Sequence, residues 1–273
     1  MARKKKMIIP IFIPFGGCDF KCVFCDQAGI TGEGVLPDQA AVVATINEYL
    51  STWKGGGESE VAFYGGSFTG LSENDQRGYL EAVDNFIRDG RISSVRISTR
   101  PDYIDRDKVV FLKDNHVRTV ELGVQSMDDE VLRLSGRGHS VESTREAFKV
   151  LKGFGMKVGA QVMPGLPGDT VETILMTMRE VVRLEPDFVR IYPVLVMKDT
   201  PLYTMYESGN YEPWELSRMV SILREALAIF ERASITVIKV GLHPTESLKE
   251  NIVAGPFHPS IRQLACKEPV VNY

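Results

Sequence analysis

The sequence lacks the features that support several common protein functions. Its 273 residues contain no apolar run close to the ~20 residues that a membrane-spanning helix needs. Low-complexity segments and short-period repeats are also absent. The 32 Lys and Arg residues do not outnumber the 36 Asp and Glu residues, so the net charge is −4 at pH 7 and the pI is about 5.7. We therefore expect no membrane partner and no broad nucleic-acid-binding face, although a local basic patch is compatible with this composition.

The chain begins with a basic head and a short apolar stretch, MARKKKMIIPIFIPF, which has some features of a signal peptide. Pro10 and Pro14 interrupt the apolar part, and no small-residue cleavage site follows. We interpret this segment as a solvated tail that leads into a strand, and the final ACKEPVVNY as an exposed tail. The expected location is the reducing cytoplasm, where clustered cysteines bind metal or act in catalysis more often than they form disulfides.

Short apolar strands alternate with helix-like patterns of 3.6-residue period along the chain. One helix is predicted after Asp169 and Glu172, which resemble a capping box. Alternation of this kind predicts an α/β fold with a parallel sheet, and the number of units favours a full or partial barrel over a doubly wound sheet. We expect one domain over residues 1–273, with a core at about 8–200 and a C-terminal helix, strand and tail in 201–273. The predicted strands begin at Met7, Val61, Ser94, Thr119, Lys157, Phe188 and Ile235.

Polar side chains alternate with apolar ones on several predicted strands, and the polar set is expected to face the barrel interior. Most barrel interiors are packed with branched aliphatic residues, whereas a buried charge without a partner costs on the order of several kcal/mol. The polar set therefore predicts a wet or ligand-filled interior. For His243, and for Arg100 on the third strand, the alternative is a strand-end position that reaches solvent. The candidates for substrate contact are Glu121, Arg190, Tyr192, Lys239 and His243.

Three of the four cysteines stand within eight positions, in the segment GGCDFKCVFCDQ. Cys18, Cys22 and Cys25 have the spacing C-x3-C-x2-C, and thiolates are soft ligands that suit zinc or iron–sulfur clusters. A structural zinc site normally has four protein ligands, but Cys266 is distant in sequence and the four histidines show no paired spacing. Three cysteines on a loop after a first strand suit a four-iron cluster in which one iron is left open for another molecule.

The same segment resembles the signature of the radical S-adenosylmethionine (SAM) enzymes, because Phe24 supplies the aromatic residue before the last cysteine. The resemblance implies a [4Fe–4S] cluster held by Cys18, Cys22 and Cys25, with the fourth iron chelated by the amino and carboxylate groups of SAM. It also implies an α/β fold with a partial TIM-type (β/α)6 barrel, the radical SAM fold, and an electron donor such as flavodoxin or ferredoxin. Reduction of the cluster then leads to cleavage of SAM and to a 5′-deoxyadenosyl radical.

Further segments resemble the same superfamily in register, namely FYGGSFTG, STRPDYID, ELGVQSMDDEVL followed by GRGHS, and GAQVMPGLPGDT. Relatives often have Asp at the position of Gln161, and an amide also bonds a hydroxyl group. The alternative for Arg137 is an exposed arginine at the start of a helix. The residues that the resemblance assigns to SAM are Phe24 near the adenine, Gly65, Gly66 and Ser67 at the methionine end, Ser98, Arg100 and Gln161 at the nucleoside, Gln125, and Arg137 at the carboxylate.

The motifs GGSFTGL, TRPDYI and VELGVQS resemble above all the radical half of the elongator catalytic subunit, over about residues 8–200. The chain resembles the oxygen-independent coproporphyrinogen III oxidases more distantly. We expect no acetyltransferase domain in it, and the lack of extra cysteine pairs argues against sulfur insertion. The elongator-like motifs favour tRNA or another RNA as substrate. A small molecule such as a tetrapyrrole is the alternative substrate, and a non-enzymatic metal-binding module is an alternative of a different class.

Overall fold

A computed structural model describes residues 6–19, 22–26, 35–55 and 57–266. The predicted head at 1–5, the predicted C-terminal tail from 267 onward and part of the cysteine segment lie outside these ranges. Contacts divide the chain into two compact units, and the single domain expected from the sequence stays a prediction. The first unit takes its described residues from Met1–Asp19, Glu33–Gly123 and Glu146–Val158, and the second from Phe20–Gly32, Val124–Arg145 and Gly159–Tyr273.

Seven of the described strands form a parallel sheet in the order β1-β2-β3-β4-β5-β6-β8, which follows the order of the chain. Each of them overlaps a strand predicted from the sequence, and a sequential order is what strand–helix alternation predicts. The seven strands are β1 (Lys6–Ile13), β2 (Glu58–Gly65), β3 (Ser94–Thr99), β4 (Val117–Gln125), β5 (Lys157–Val162), β6 (Phe188–Ile191) and β8 (Thr236–Val240).

The predicted strand that begins at Phe188 is shorter than its apolar run. It ends at Ile191, because Pro193 soon follows and has no N–H group to donate to a neighbouring strand. The rest of the run forms β7 (Val196–Met197), which pairs antiparallel with β9 (Ile252–Ala254) in a small separate sheet. The sequence did not predict this second sheet, since strands of two and three residues carry no usable periodicity.

The described chain contains ten α-helices between and after these strands. Polar N-cap residues begin several of them; Asp38, Ser72 and Asp105 each accept a hydrogen bond from a backbone N–H group of the first turn. The structure describes no helix that is both long and apolar enough to cross a membrane. The helices are α1 (Gln39–Thr52), α2 (Glu73–Arg88), α3 (Arg106–Asp114), α4 (Asp129–Leu134), α5 (Val141–Gly153), α6 (Val171–Arg183), α7 (Pro201–Glu207), α8 (Leu216–Arg232), α9 (Glu246–Asn251) and α10 (Ile261–Cys266).

Helix α6 is capped one residue later than the sequence predicts. Thr170 is the N-cap residue: its Oγ1 accepts from Thr173 N–H at 3.2 Å, and Thr173 Oγ1 accepts from Thr170 N–H at 2.8 Å. Asp169 instead turns back, and its Oδ2 accepts from the N–H groups of Gly165 and Leu166, each at 3.0 Å. The predicted capping box beginning at Asp169 is therefore wrong, because the preceding loop takes that carboxylate and leaves the cap to its neighbour.

A buried arginine joins three strands of the first unit. Arg96 on β3 donates to Glu60 Oε2 on β2 from Nε and Nη2 (3.1 and 2.8 Å), and from Nη1 to Glu121 Oε1 on β4 at 2.7 Å. Lys6 Nζ lies 2.9 Å from Glu60, and Tyr64 Oη donates to Glu121 at 3.4 Å. Burial raises the pKa of Glu60, but Arg96 and Lys6 outweigh it and hold that pKa below its ordinary value. Glu121, a predicted substrate contact, is fully buried in this network, and its role at the substrate stays a prediction.

We predict that Arg96→Met lowers the free energy of unfolding by about 3–5 kcal/mol, because it leaves the carboxylates of Glu60 and Glu121 buried without their shared cation. Urea denaturation of the full chain measures this. Lys149→Gln is the matched control, since Lys149 pairs with Glu146 on the surface, and we expect it to change stability by less than about 0.5 kcal/mol. Equal losses for the two variants would contradict the role of Arg96.

Candidate active site

The first cysteine, Cys18, lies in a tight turn directly after β1, in the first unit. Cys18 N–H donates to Phe15 O at 3.2 Å. The turn uses a left-handed backbone at Phe15 (φ 54°) and at Gly17 (φ 68°), and glycine adopts that conformation without a steric cost. The Cys18 thiol donates to Ser67 Oγ at 3.5 Å. Ser67, which the sequence assigns to the SAM site, is thus placed beside a predicted cluster ligand.

Glycines let this turn pack backbone to backbone against the turn that follows β2. A Cβ atom on Gly17 would lie 2.3 Å from Ser67 O, and one on Gly66 would lie 2.1 Å from Gly16 O. A Cβ atom on Gly70 would lie 2.1 Å from Gly17 O. Ser67 N–H donates to Gly16 O at 2.7 Å across this contact. Chain packing alone therefore requires Gly66, and the predicted contact of the Gly65–Gly66 pair with SAM stays a prediction.

The segment after β3 holds the cysteine turn from another side. Tyr103 Oη donates to Asp19 Oδ2 at 2.8 Å, one residue after Cys18. Arg100 is buried and donates to both carboxylate oxygens of Asp102, at 3.0 and 2.7 Å, with its guanidinium 5.1 Å from the centre of the Tyr103 ring. The solvent-exposed alternative for Arg100 is therefore wrong. The guanidinium of Arg100 forms an ion pair with Asp102. The predicted contact of Arg100 with the nucleoside of SAM stays a prediction.

The other two cysteines, Cys22 and Cys25, belong to the second unit. They lie on one short turn, in which Cys25 N–H donates to Cys22 O at 3.1 Å. Val23 between them is tied on both sides: its N–H donates to Ser135 O at 3.1 Å, and its O accepts from Leu202 N–H at 2.8 Å. Two backbone hydrogen bonds to distant parts of the chain thus fix the position of this turn within its unit.

Phe24 and Val23 pack against an apolar cluster of the second unit. Leu166 belongs to this cluster and lies in the GLPGDT loop that Asp169 closes. Burial raises the pKa of Asp169 to about 6, although Thr173 and two backbone N–H groups act in the opposite direction. A closed loop therefore contributes to the surface that holds Phe24, and the contact of Phe24 with adenine stays a prediction. The buried members of the cluster are Val131, Leu166, Val194, Val196, Leu202 and Tyr211.

Arg137 contacts a cysteine directly. Its Nη1 donates to Cys22 Sγ at 3.3 Å, and the two residues are only 6% and 7% exposed. Arg137 N–H donates to Leu132 O at 3.0 Å, and Gly136 and Gly138 on either side have left-handed backbones, with φ of 65° and 73°. The exposed-arginine alternative is therefore wrong. The predicted contact of Arg137 with the SAM carboxylate stays a prediction.

Gln125 Oε1 in the second unit and Ser98 Oγ in the first are among the buried polar atoms that have no hydrogen-bond partner in the described part of the chain. Gln125 ends β4 with φ 64°, which is uncommon for a residue other than glycine, and its O accepts from Met163 N–H at 2.9 Å. A buried polar group left without a partner costs about 1–3 kcal/mol. Each atom is thus suited to a ligand group that offers a hydrogen bond, such as a hydroxyl or an amino group.

The register of the second unit aligns a row of polar residues. Gln161 on β5 pairs with Arg190 on β6, which pairs with Lys239 on β8. Arg190 Nη1 donates to Tyr192 Oη at 3.3 Å, and all four side chains are half-buried. Strand β8 ends before His243, which lies exposed in the following loop. Strand alternation therefore does not place the His243 side chain, which reaches solvent as the alternative expected, and its contact with substrate stays a prediction.

The cysteines meet the chemical requirements of a [4Fe–4S] cluster. All four cysteines are free thiols, and polar groups lie against two of the predicted ligands, Ser67 against Cys18 and Arg137 against Cys22. Hydrogen bonds to ligating sulfur are a usual feature of iron–sulfur sites. Within the described ranges, no three His, Cys, Asp or Glu side chains are gathered to hold one metal ion. A cluster does not require such a group, because each thiolate binds its own iron.

A parallel α/β sheet with a cysteine turn after its first strand defines a class of iron–sulfur proteins built on partial (β/α) barrels. The comparison with known families identifies the family within that class. The Radical SAM superfamily matches residues 12–181, and the Radical_SAM C-terminal domain matches residues 186–269. The chain therefore belongs to the Radical SAM superfamily, whose enzymes use a [4Fe–4S] cluster and SAM.

Two curated relatives show the elongator-like character of the chain. It is 37% identical over 166 residues to a tRNA uridine(34) acetyltransferase of Methanocaldococcus infernus, a match that covers 59% of this chain and 31% of the relative. It is 33% identical over 163 residues to human Elongator complex protein 3, which covers 58% of this chain and 30% of the relative. The chain thus spans about a third of the length of these two relatives.

Solved structures confirm the fold class. Elp3 from Methanocaldococcus infernus, with a deleted N-terminus, matches with a TM-score of 0.74 at 24% identity. The match covers 97% of this chain and 62% of the Elp3 chain. Coproporphyrinogen III oxidase (HemN) from Escherichia coli matches with a TM-score of 0.61 at 18% identity. The match covers 85% of this chain and 54% of the HemN chain. The predicted partial (β/α)6 barrel of a radical SAM enzyme is therefore confirmed, as are both resemblances found in the sequence.

We predict that Gly17→Ala lowers the unfolding free energy by several kcal/mol more than Gly90→Ala. Both glycines have left-handed backbones, so each substitution adds strain of about 1–2 kcal/mol. Only at Gly17 does the new Cβ meet backbone atoms closer than 3 Å, whereas nothing lies within 4 Å of a Cβ at Gly90. Urea denaturation measures the difference. Iron and sulfide contents after anaerobic reconstitution should fall for Gly17→Ala alone, and equal behaviour of the two variants would contradict the packing argument.

Proposed function

We propose that this radical SAM enzyme modifies RNA, with tRNA as its substrate class. The observation that carries the proposal is the 37% identity, over 166 residues, to a relative named as a tRNA uridine(34) acetyltransferase. The chain spans 31% of that relative, so the proposal concerns the radical chemistry of the shared part and does not include acetyl transfer. A reducing cytoplasmic location and an electron donor such as flavodoxin or ferredoxin belong to the same proposal.

In this proposal, Cys18, Cys22 and Cys25 hold the cluster. When bound, a [4Fe–4S] cluster would supply the electron that cleaves SAM into methionine and a 5′-deoxyadenosyl radical, and that radical would remove a hydrogen atom from the substrate. The residues of the chain bind and orient the cosubstrate: Gln125 Oε1 accepts a hydrogen bond from SAM, and Ser98 Oγ bonds a hydroxyl group. Their burial supports this assignment, because a buried polar atom without a partner gains a hydrogen bond when such a ligand binds.

The polar row of the second unit supports an anionic substrate. Arg190 and Lys239 are register partners on β6 and β8, and both side chains are half-buried. Two neighbouring cations suit a phosphate group, to which a guanidinium group donates in a fixed geometry. Tyr192 adds an aromatic surface of the kind on which unstacked RNA bases pack. Such a local patch reconciles RNA binding with the net charge of −4.

We predict that Cys22→Ala abolishes the formation of 5′-deoxyadenosine, because it removes one of three cluster ligands. The measurement is anaerobic reconstitution with iron and sulfide, followed by reduction with dithionite in the presence of SAM and quantification of the nucleoside. Cys266→Ala is the matched control, since Cys266 is a free, exposed thiol in α10 and should leave the yield unchanged. A Cys22→Ala protein that forms as much 5′-deoxyadenosine as the parent would contradict the cluster assignment.

We predict that the affinity for bulk tRNA falls with salt, and that Arg190→Gln and Lys239→Gln each reduce the slope of log K against log salt concentration. Loss of one phosphate contact should change that slope by about 0.7–0.9. Filter binding across a salt series measures it. Lys149→Gln is the control, because Lys149 is paired with Glu146 on the surface, and its slope should equal that of the parent.

The tRNA-binding assay and the 5′-deoxyadenosine assay together distinguish the alternative functions. If tRNA does not bind at low salt, and a tetrapyrrole rather than tRNA stimulates 5′-deoxyadenosine formation, the small-molecule alternative is correct and the RNA proposal fails. If a reconstituted protein holds a cluster but does not cleave SAM, the chain is a metal-binding module.

A further inference from the structure

We infer that Arg137 is a positioning residue for the cluster: its guanidinium donates to the thiolate of Cys22 and makes the cluster easier to reduce. The inference rests on the proposed role of Cys22 as a ligand, and it does not depend on the identity of the substrate. The SAM-carboxylate contact that the sequence predicts for Arg137 is a separate function. Because a guanidinium group has five N–H donors in a fixed fork, Arg137 is able to serve both.

The first observation is the contact itself. Arg137 Nη1 lies 3.3 Å from Cys22 Sγ, and both side chains are almost completely buried. A guanidinium cation beside a thiolate acts through a low local dielectric in such a position, so the interaction is stronger than on the surface. Cys22 is therefore a predicted ligand whose sulfur has a buried cationic donor.

The second observation is that backbone hydrogen bonds hold the segment of Arg137 beside the turn of Cys22. Ser135 O accepts from Val23 N–H at 3.1 Å, so the segment that carries Arg137 is hydrogen-bonded to the residue next to Cys22. Arg137 N–H is itself bonded to Leu132 O at the end of α4. The donor and its sulfur are thus held by two short backbone links of the same unit, which is the arrangement that a fixed hydrogen bond to a ligand requires.

The physical consequence follows from charge. Reduction adds one electron to the cluster, and a cation or hydrogen-bond donor at a ligating sulfur stabilises the more negative, reduced state. Removal of the donor should lower the midpoint potential. A residue that contacts only the SAM carboxylate would change the affinity for SAM and would leave the potential measured without SAM unchanged. The potential in the absence of SAM therefore separates the two roles.

The experiment is an electron paramagnetic resonance titration of the reconstituted full chain without SAM, comparing the parent with Arg137→Met and Arg137→Lys. For Arg137→Met we expect at least a tenfold fall in the ratio of reduced to oxidised cluster at a fixed applied potential, or about 59 mV for a one-electron couple. Arg137→Lys retains a cation and should recover part of the loss. Arg133→Met is the matched control, because Arg133 lies exposed on α4 with its guanidinium paired to Glu130, and its potential should match that of the parent.

A second measurement uses the parent protein and so does not depend on the folding of a variant. With arginine labelled by ¹⁵N in its guanidinium, pulsed resonance of the reduced cluster should show a ¹⁵N coupling in the absence of SAM. A parent protein without that coupling overturns the inference, as does an Arg137→Met protein with the parent's potential. If the Cys22→Ala variant still holds a complete cluster, the assignment of Cys22 as a ligand is overturned. That result is distinguishable from a failure of the role proposed for Arg137.

Discussion

The backbone contact between two glycine-containing turns is the constraint on which the first cysteine depends. The turn after β1 approaches the turn after β2 so closely that a methyl group on Gly17, Gly66 or Gly70 would overlap main-chain atoms. This approach places the Cys18 thiol against Ser67. A glycine in such a motif is usually explained by the approach of a ligand, but here the neighbouring chain already supplies the reason. The absence of side chains at these glycines is thus what brings the Cys18 thiol to a defined position after a buried strand.

The second unit holds its two cysteines by a different device. Cys22 and Cys25 lie on a turn whose middle residue, Val23, is hydrogen-bonded to Ser135 and Leu202. These partners lie more than 100 residues further along the chain, so the position of the turn depends on the folding of the whole unit. The contact from Arg137 to Cys22 is a result of the same arrangement, because Arg137 follows Ser135 at the end of α4.

Charged residues on the strands have different neighbours in the two units. In the first unit, Glu60, Arg96 and Glu121 neutralise one another in a buried network that joins β2, β3 and β4. In the second unit, Arg190 and Lys239 are neighbours on strands that carry no acidic residue. The alternation of polar and apolar residues is the same in both cases. The register of the strands decides which charged residues are neighbours: Arg96 lies beside two carboxylates, and Arg190 lies opposite Lys239.

The sequence alone determined the strand–helix alternation, the seven strands of the sheet and the chemistry of C-x3-C-x2-C, because periodicity and ligand type are local properties. It did not determine the β7–β9 pair, the end of β8 before His243 or the cap at Thr170, since these depend on loops and competing hydrogen bonds. The tertiary structure alone decided that Arg96 lies between two carboxylates and that Arg137 reaches Cys22. Those partners are 25 to 115 positions apart in the chain, and only strand register and backbone contacts bring such distant residues within hydrogen-bonding distance.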